Sequence, residues 1–229
     1  MTRLPSRRFW SAATIAAGAA ATVAGAWGNR GAALATKPLP MALLGARALT
    51  DPAATPANCA LVLGAVGFSM AGDYWMLREE FEPRDSTAKD AYLRRGAAFF
   101  AGAQLCYQAA FLRRGARYRM RAFAPRMTVM GEPAAVLAVN APKVLPVLGP
   151  YGALLAGMST LAGDQGRGAA IGGLLFQASD IAIINRRHLV DSPAARSWIE
   201  TWVLGSYFAA QHLLVDALLS GEKSSSAGD

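Results

Sequence analysis

The amino-acid sequence predicts an all-α protein, a polytopic membrane bundle of about eight transmembrane helices. Of its 229 residues, 53% are hydrophobic and 17% are charged, whereas about a quarter of the residues of a soluble protein are charged. Eight stretches are long and apolar enough, or nearly so, to cross the hydrocarbon core as a helix of about 20 residues. The charges between them form short blocks, as expected for loops that face lipid headgroups.

The eight apolar stretches are separated by short loops that carry most of the charge. In order, they cover residues 9–27, 34–50, 58–77, 96–113, 122–141, 144–162, 168–185 and 197–219. The fifth stretch is the weakest, because it contains Arg126, Glu132 and Pro133 and is fully apolar only from Ala134 onward. Seven crossings with a re-entrant fifth segment are therefore the alternative. Glycine and alanine recur in these helices and allow the close packing that is typical of membrane proteins.

The first stretch has two interpretations. It follows a basic N-terminal segment, residues 1–8, and its end, Ala24-Gly25-Ala26, has the small-x-small pattern of a signal-peptidase site. Cleavage at that site is one interpretation. A retained helix is the other, and it is favoured because the apolar run is longer than the core of a typical signal peptide and because another membrane segment follows.

The loops are too short to contain a soluble domain, since the longest spans residues 78–95. We therefore expect one integral membrane domain over residues 1–229, ending in a short solvated tail at 220–229. The loops of the two sides carry equal numbers of Lys and Arg, but residues 113–121 form a purely basic block, whereas 78–95 mixes bases with acids. The positive-inside rule then places the N-terminus on the cytoplasmic side of the plasma membrane.

The composition also indicates which partners to expect. The formal net charge is +8, but the cations lie between membrane segments, which favours the lipid bilayer as the partner and argues against nucleic acid. Cys59 and Cys106 form no CxxC motif or Cys/His cluster, so neither a disulfide framework nor a metal site is predicted. Nothing in the sequence indicates an oligomeric state.

Five ionisable residues inside the predicted helices are candidates for a site, since a charged side chain at membrane depth costs at least about 2.5 to 3.5 kcal/mol. Asp216 can reach an interface from the last turn of its helix, and Glu132 shares a broken segment with Arg126, so a structural role explains both. The other three are harder to explain in this way.

Lys37 lies near the start of the second helix, Asp73 about one turn before the end of the third, and Asp180 near the end of the seventh. Successive helices run in opposite directions, so all three fall in the same half of the membrane. Gln104 and Tyr207 approach the same depth. The sequence thus predicts one polar pocket that is open toward one leaflet.

Helical spacing adds further polar residues to the faces that carry this pocket. Tyr107 lies three residues after Gln104, and Gln211 lies four residues after Tyr207, so each pair shares one helix face. Hydrogen bonds between membrane helices contribute about 0.6 kcal/mol each and explain buried amides. They do not readily explain two carboxylates and a lysine. A functional site is therefore favoured over a purely structural role for Lys37, Asp73 and Asp180.

These residues occur within short motifs that resemble the YhhN-type lysoplasmalogenase family of multi-pass membrane proteins. The resemblance runs from Lys37 to about Leu214. None of its six motifs is specific by itself, but all six occur in the order that is typical of the family. The motifs are Lys37-Pro38-Leu39-Pro40, Gly72-Asp73 with Leu77, Gly96 with Phe100 and Tyr107, Tyr151 with Met158, Gly172 with Phe176 and Ser179-Asp180, and Tyr207-Phe208-Ala209-Ala210-Gln211. One position departs from the family pattern, because Gln104 stands where the family commonly has histidine, and an amide cannot act as an acid or base.

The resemblance implies hydrolysis of the vinyl-ether bond of a lysoplasmalogen to a fatty aldehyde and a glycerophospho-alcohol, without a required cofactor. Two carboxyl groups in one low-dielectric pocket can divide the tasks of acid and of base or charge stabiliser. We assign Asp180 as the acid and Asp73 as the base or charge stabiliser, although the sequence leaves the reverse order open. The resemblance further implies that Lys37 binds the substrate phosphate. The remaining polar residues would orient water and glycerol hydroxyls, and these are Gln104, Tyr107, Tyr207 and Gln211.

Two other classes of function use the same polar pocket. A non-enzymatic protein that binds lipid or transports a small molecule would hold a polar headgroup there, but the sequence has no inverted repeat of the kind that transporters contain. A proton pump built on Asp73 and Asp180 would need a relay to the far side of the membrane. The other halves of the third and seventh helices contain few polar residues for such a relay.

Overall fold

The computed structural model describes residues 5–83 and 86–220. Within them lie ten α-helices and one short 3-10 helix, and none of these residues forms a strand. The α-helices are α1 (Arg7–Ala26), α2 (Arg30–Thr36), α3 (Pro38–Thr50), α4 (Pro56–Glu80), α5 (Ala88–Arg113), α6 (Met120–Val129), α7 (Gly131–Asn140), α8 (Leu145–Gly163), α9 (Arg167–Leu189) and α10 (Pro193–Leu219). The 3-10 helix, Pro142–Val144, directly precedes α8. The all-helical fold class is confirmed.

Of the described helices, five are long and apolar enough to cross a membrane. They are Arg7–Ala26, Pro56–Glu80, Pro142–Gly163 with its 3-10 turn, Arg167–Leu189 and Pro193–Leu219. Helix α5 has 26 residues, but Lys89, Asp90, Arg94 and Arg95 make its first two turns polar. The second and fifth predicted helices are each divided into two shorter pieces, so the number of about eight crossings remains a prediction.

Prolines explain both divisions. Pro38 and Pro40 have no backbone N–H, so the regular helical hydrogen bonds are interrupted at Lys37, between α2 and α3. In the fifth predicted helix, α6 ends before Met130 and α7 contains Pro133 in its first turn. The interruption that the sequence suggested for this segment is therefore present.

Four helices begin after a residue whose side chain accepts a hydrogen bond from a backbone N–H group of the first turn. Ser6 caps α1, Asn29 caps α2, Thr55 caps α4 and Ser192 caps α10. Each cap supplies an oxygen to an N–H that has no partner within its helix.

Close helix packing brings the polar faces together. Helix α4 packs along α5 and α9 along α10, while α5 and α9 also contact α8. A Cβ atom on Gly72 would lie 2.8 Å from the ring of Phe100, and one on Gly173 would lie 2.8 Å from the Cα of Ser159. Only glycine fits at these two contacts, and the Gly72 contact places α5 directly against the turn of α4 that carries Asp73.

The start of α1, the end of α10 and the basic block at residues 113–121 lie at the same end of the bundle. Asp216 near the end of α10 accepts hydrogen bonds from Arg7 at the start of α1 and from Arg47 at the end of α3, the latter at 2.7 Å. Arg114, in the basic block, donates to the backbone carbonyl of Leu218 at 3.0 Å. These contacts give the half-buried carboxylate of Asp216 two cationic partners and give the last carbonyls of α10 a donor, so Asp216 has a structural explanation.

Candidate functional site

The polar residues of four helices line one small internal cavity, here called the charged chamber. Its volume is about 30 Å³. It lies among the start of α3, the second halves of α4 and α9, and the first half of α10. Its charged lining residues are Lys37, Asp73, Glu80, Asp180, Arg186 and Glu200. The chamber thus contains the lysine and both aspartates that membrane depth singled out, together with Tyr207.

Asp73 is held by α10. The Tyr207 hydroxyl donates a 2.8 Å hydrogen bond to Oδ2 of Asp73, and Asp73 is only 7% exposed. The ring of Tyr207 packs edge-on against Phe100 and Phe176, with centroid separations of 5.8 and 5.5 Å. Because these rings fix the phenol, the carboxylate has one defined orientation.

Asp180 is held by α8. The Tyr151 hydroxyl donates a hydrogen bond to Oδ2 of Asp180. Asp180 is less buried than Asp73, and it also lines a second cavity that lies on the other side of Phe100. The sequence placed Tyr151 in a motif but assigned it no role at the site. The i to i+4 spacing that identified other polar pairs could not reveal it, because its partner lies on another helix.

Lys37 projects into the chamber from the interruption between α2 and α3. It is 8% exposed, and its ammonium makes no hydrogen bond or ion pair with the described part of the chain. The positive charge of Lys37 acts on the nearby carboxylates of Asp73, Glu80 and Glu200. A buried ammonium with unused donors can bind an anionic group that enters the chamber.

A second polar layer lies beside the chamber. The Tyr107 hydroxyl donates to Oε1 of Gln211 at 2.5 Å, and the Gln211 amide donates to the Ser69 hydroxyl at 2.9 Å. Gln104 is fully buried next to the Tyr151 hydroxyl. Neither polar atom of its amide has a hydrogen-bond partner within the residues described. Such a group is costly unless a ligand or water completes it.

The second cavity, here called the apolar cavity, has a volume of about 130 Å³. Side chains of α5 to α9 and one residue of α4 line it, and Asp180 is its one charged lining residue among those described. Four residues line both the apolar cavity and the charged chamber, namely Met76, Phe100, Asp180 and Ile183. The two spaces therefore adjoin, and the Asp180 carboxyl lies at their common wall.

An ion cluster closes the other side of the charged chamber. Arg186, at the end of α9, pairs with Glu80 of α4 and with Glu200 of α10, the latter at 2.7 Å. The same three side chains line an open polar vestibule of about 360 Å³. Sequence reasoning missed this cluster because each residue lies near a helix end, where charges are typical of loops. The signal that the sequence did contain is that these three residues lie at the same depth in the predicted bundle.

The arrangement contains no feature typical of a metal centre. Among residues 5–83 and 86–220, no three His, Cys, Asp or Glu side chains are grouped so that they could hold a metal ion. The polar atoms at the site are instead carboxylates, phenols, amides and one ammonium. These groups can donate and accept protons and can bind an anion.

The fold and the site are those of a membrane protein with a buried charged chamber at one end of its helices. The chain belongs to the YhhN family, whose sequence profile matches residues 32–218. The matched range runs from α2 into α10 and includes Lys37, Asp73, Gln104, Asp180 and Gln211. Neither a curated protein nor a solved structure matches the chain.

Proposed function

We propose that this protein hydrolyses the vinyl-ether bond of a lysoplasmalogen. The observation that carries the proposal is the position of Asp180 at the wall between the apolar cavity and the charged chamber. An amphiphile with its alkyl chain in the first space and its polar group in the second would have its ether linkage at that wall. Membership in the YhhN family supports the same function.

The chemistry requires one acid and one group that stabilises positive charge. A protonated Asp180 gives its proton to the β-carbon of the vinyl ether, and the resulting oxocarbenium ion is stabilised by ionised Asp73. Water adds to the cation and loses a proton to a carboxylate, and the hemiacetal then separates into a fatty aldehyde and a glycerophospho-alcohol. One water is consumed and no electrons are transferred, so no cofactor is needed. Two carboxylates in different surroundings suit such divided roles.

The other polar residues would bind the substrate. Lys37 has unused donors in the chamber and is the proposed partner of the phosphate. Tyr207 orients Asp73 through its hydrogen bond. Tyr107 and Gln211 form the adjoining polar layer, and Gln104 has free amide atoms with which to hold water or a glycerol hydroxyl.

The deciding experiment uses the purified protein in nanodiscs. Lysoplasmalogen is added and release of the fatty aldehyde is measured, with the saturated 1-O-alkyl lysolipid as a matched control because it lacks the double bond that must be protonated. Aldehyde release from the vinyl ether alone supports the proposal. No release from any lysoplasmalogen contradicts it.

A non-enzymatic role in lipid binding or small-molecule transport is the second candidate. The amide of Gln104 favours it, because this residue cannot transfer a proton and stands where the family commonly has histidine. Tight binding of lysoplasmalogen without turnover would support this candidate.

We also propose that the N-terminus faces the cytoplasm of the cell and that the charged chamber opens toward the other side of the plasma membrane. One end of the bundle contains Arg7, the end of α10 and the basic block at residues 113–121. The vestibule lies at the opposite end of α10. Single cysteines at Arg117 and Ser192, in a background with Cys59 and Cys106 replaced by serine, test this orientation by labelling with a membrane-impermeant reagent. Labelling of Arg117→Cys from outside would reverse the orientation.

A further inference from the structure

We propose that the Arg186 side chain is a gate between the polar vestibule and the charged chamber, and that water and small polar molecules reach the chamber by this route. The inference goes beyond the proposed function, because it assigns a role to the vestibule that holds whether or not the chain hydrolyses a lipid. It requires that the ion cluster around Arg186 opens while the neighbouring helix ends stay in place.

The ion cluster forms the wall between the two spaces. Among the described lining residues, three are common to the chamber and the vestibule, and these are Glu80, Arg186 and Glu200. They come from α4, α9 and α10, and each has a long side chain with several rotamers. The wall can therefore open through a change of side-chain rotamers, without a movement of the backbone.

The volume of the chamber shows that the wall has to open for any molecule larger than water. The chamber measures about 30 Å³, which is room for one or two water molecules. The vestibule measures about 360 Å³. A polar molecule of intermediate size fits the vestibule and can contact Lys37 or Asp73 from there once the two spaces have merged.

A further pocket beside Lys37 and Asp73 is a poor route for polar molecules. Its volume is about 120 Å³, and the rest of its lining is mostly apolar, consisting of Leu34, Pro38, Met70, Tyr74 and Leu77. A polar molecule that passed along this lining would lose hydrogen bonds to water. The vestibule, with its charged lining, is therefore the favoured polar route.

The helix ends around the gate are held by a separate set of ion pairs. Glu79 of α4 pairs with Lys89 of α5 and with Arg187 of α9, each at 3.2 Å, and none of these three residues lines the chamber or the vestibule. Arg196 donates to the backbone carbonyl of Arg186 at 3.1 Å. The backbone at Arg186 is thus fixed, and its side chain is the part that can move.

The Arg186 guanidinium is held in the wall by two carboxylates. Its Nη1 atom lies 2.7 Å from Oε2 of Glu200, and its Nη2 atom pairs with Glu80. Its Nε atom has no hydrogen-bond partner within the described chain. Replacing one glutamate by glutamine removes one of the two charge contacts and keeps the shape of the side chain, so it should favour the open state.

The test measures how fast a thiol in the chamber is modified from water. Ser179 lines the chamber and is 1% exposed, and Ser179→Cys is made in a background with Cys59 and Cys106 replaced by serine. The protein is placed in nanodiscs, where both membrane faces are accessible. The reagent is 2-(trimethylammonium)ethyl methanethiosulfonate, which carries a fixed charge and is larger than the closed chamber, and modification is followed by intact-protein mass spectrometry.

Neutralising the glutamates should speed this modification. Glu200→Gln should raise the rate about tenfold, as expected for loss of a hydrogen bond between charged groups. Glu80→Gln should raise it less, because the Glu80 side chain is 26% exposed and its pair with Arg186 is weaker in contact with water. Glu80→Gln also keeps the test decisive if Glu200→Gln does not fold.

Three controls identify the route. Glu79→Gln removes the same charge from the neighbouring residue, which lines neither space, and should leave the rate unchanged. Ser197→Cys places a thiol in the vestibule and should react rapidly in every background. N-phenylmaleimide, an apolar thiol reagent that enters from the lipid, should modify Ser179→Cys equally fast with and without the glutamate substitutions.

The outcomes separate the gate from the proposed function. If Glu79→Gln speeds modification as much as Glu200→Gln and Glu80→Gln do, the bundle has loosened generally and the gate is wrong. If neither gate variant changes the rate while Ser197→Cys reacts, the gate is also wrong. If both gate variants speed modification as expected but no lysoplasmalogen releases aldehyde, the gate stands and the hydrolase function is wrong.

Discussion

The Tyr207 hydroxyl donates a 2.8 Å hydrogen bond to the Asp73 carboxylate, and both side chains are more than nine-tenths buried. This bond joins the last turns of α4 to the middle of α10 and fixes one carboxylate in the wall of the charged chamber. The second carboxylate, Asp180, has an equivalent phenol partner in Tyr151. Each aspartate therefore has its own tyrosine from a different helix, and their roles can be tested separately.

Replacing either aspartate by asparagine should abolish most of the activity and leave the fold intact. Asp73→Asn and Asp180→Asn should each lower aldehyde release by about 10² to 10⁴, as is typical for loss of a general acid or base. Thermal stability should change little, since an amide removes a buried charge without leaving a cavity. Asp164→Asn is the control, because Asp164 pairs with Arg119 in a loop away from the site. Full activity in both site variants would show that the proposed assignment is wrong.

Removing the phenol of Tyr207 should also reduce activity. In Tyr207→Phe, Asp73 loses its hydrogen-bond donor, and we expect aldehyde release to fall about tenfold or more, in line with the free energy of a hydrogen bond to a charged group. Tyr92→Phe provides the comparison, since Tyr92 bonds Arg78 outside the chamber. Equal rates for the two variants would argue against a role for the Asp73–Tyr207 pair.

Gln104→His should retain or raise aldehyde release. The imidazole would occupy the position of a fully buried amide that has no hydrogen-bond partner in the described chain, and it adds a group that can transfer a proton. Single-turnover measurements of the two proteins would show this effect. If the wild type is inactive and Gln104→His is active, the lipid-binding role becomes the better description of the natural protein.

Arg186 should be important for stability. In Arg186→Met, the buried carboxylate of Glu200 and the partly exposed carboxylate of Glu80 lose their common partner. Breaking a fully buried pair costs about 3 to 5 kcal/mol, so we expect a loss of stability at or below the lower end of that range. The triple variant Arg186→Met, Glu80→Gln, Glu200→Gln removes the stranded charges and should recover most of the lost thermal stability. Failure of the triple variant to recover would indicate that Arg186 contributes through packing instead of charge.

The sequence was sufficient to predict that three of the charged residues of the chamber meet, because a charged side chain inside an apolar stretch is conspicuous. Lys37, Asp73 and Asp180 could be placed at one depth from helix direction alone, and the structure puts all three in the charged chamber. Depth alone could not pair Tyr151 with Asp180 or Arg186 with its two glutamates. Their partners depend on which helices are neighbours, and the order of apolar stretches does not determine that.

The apolar cavity could not be predicted for a related reason. Its wall combines side chains from α4 to α9, and the shape of a cavity depends on how all of these side chains pack against one another. The interrupted α6–α7 segment was visible as a weak membrane stretch with Pro133. Its contribution to a cavity required the rotation and tilt of both pieces, which a hydropathy pattern does not contain.

Asp180 lines both the apolar cavity and the charged chamber, and this double position affects how the kinetic constants respond to substitution. Under the proposed function, a change at Asp180 would alter both the surroundings of the alkyl chain and the acid, so KM and kcat should change together. Asp73 lines the charged chamber but not the apolar cavity, so a substitution there can lower kcat while the chain contacts persist. Asp73 is consequently the residue at which the rate of the chemical step can be studied apart from the affinity for the chain.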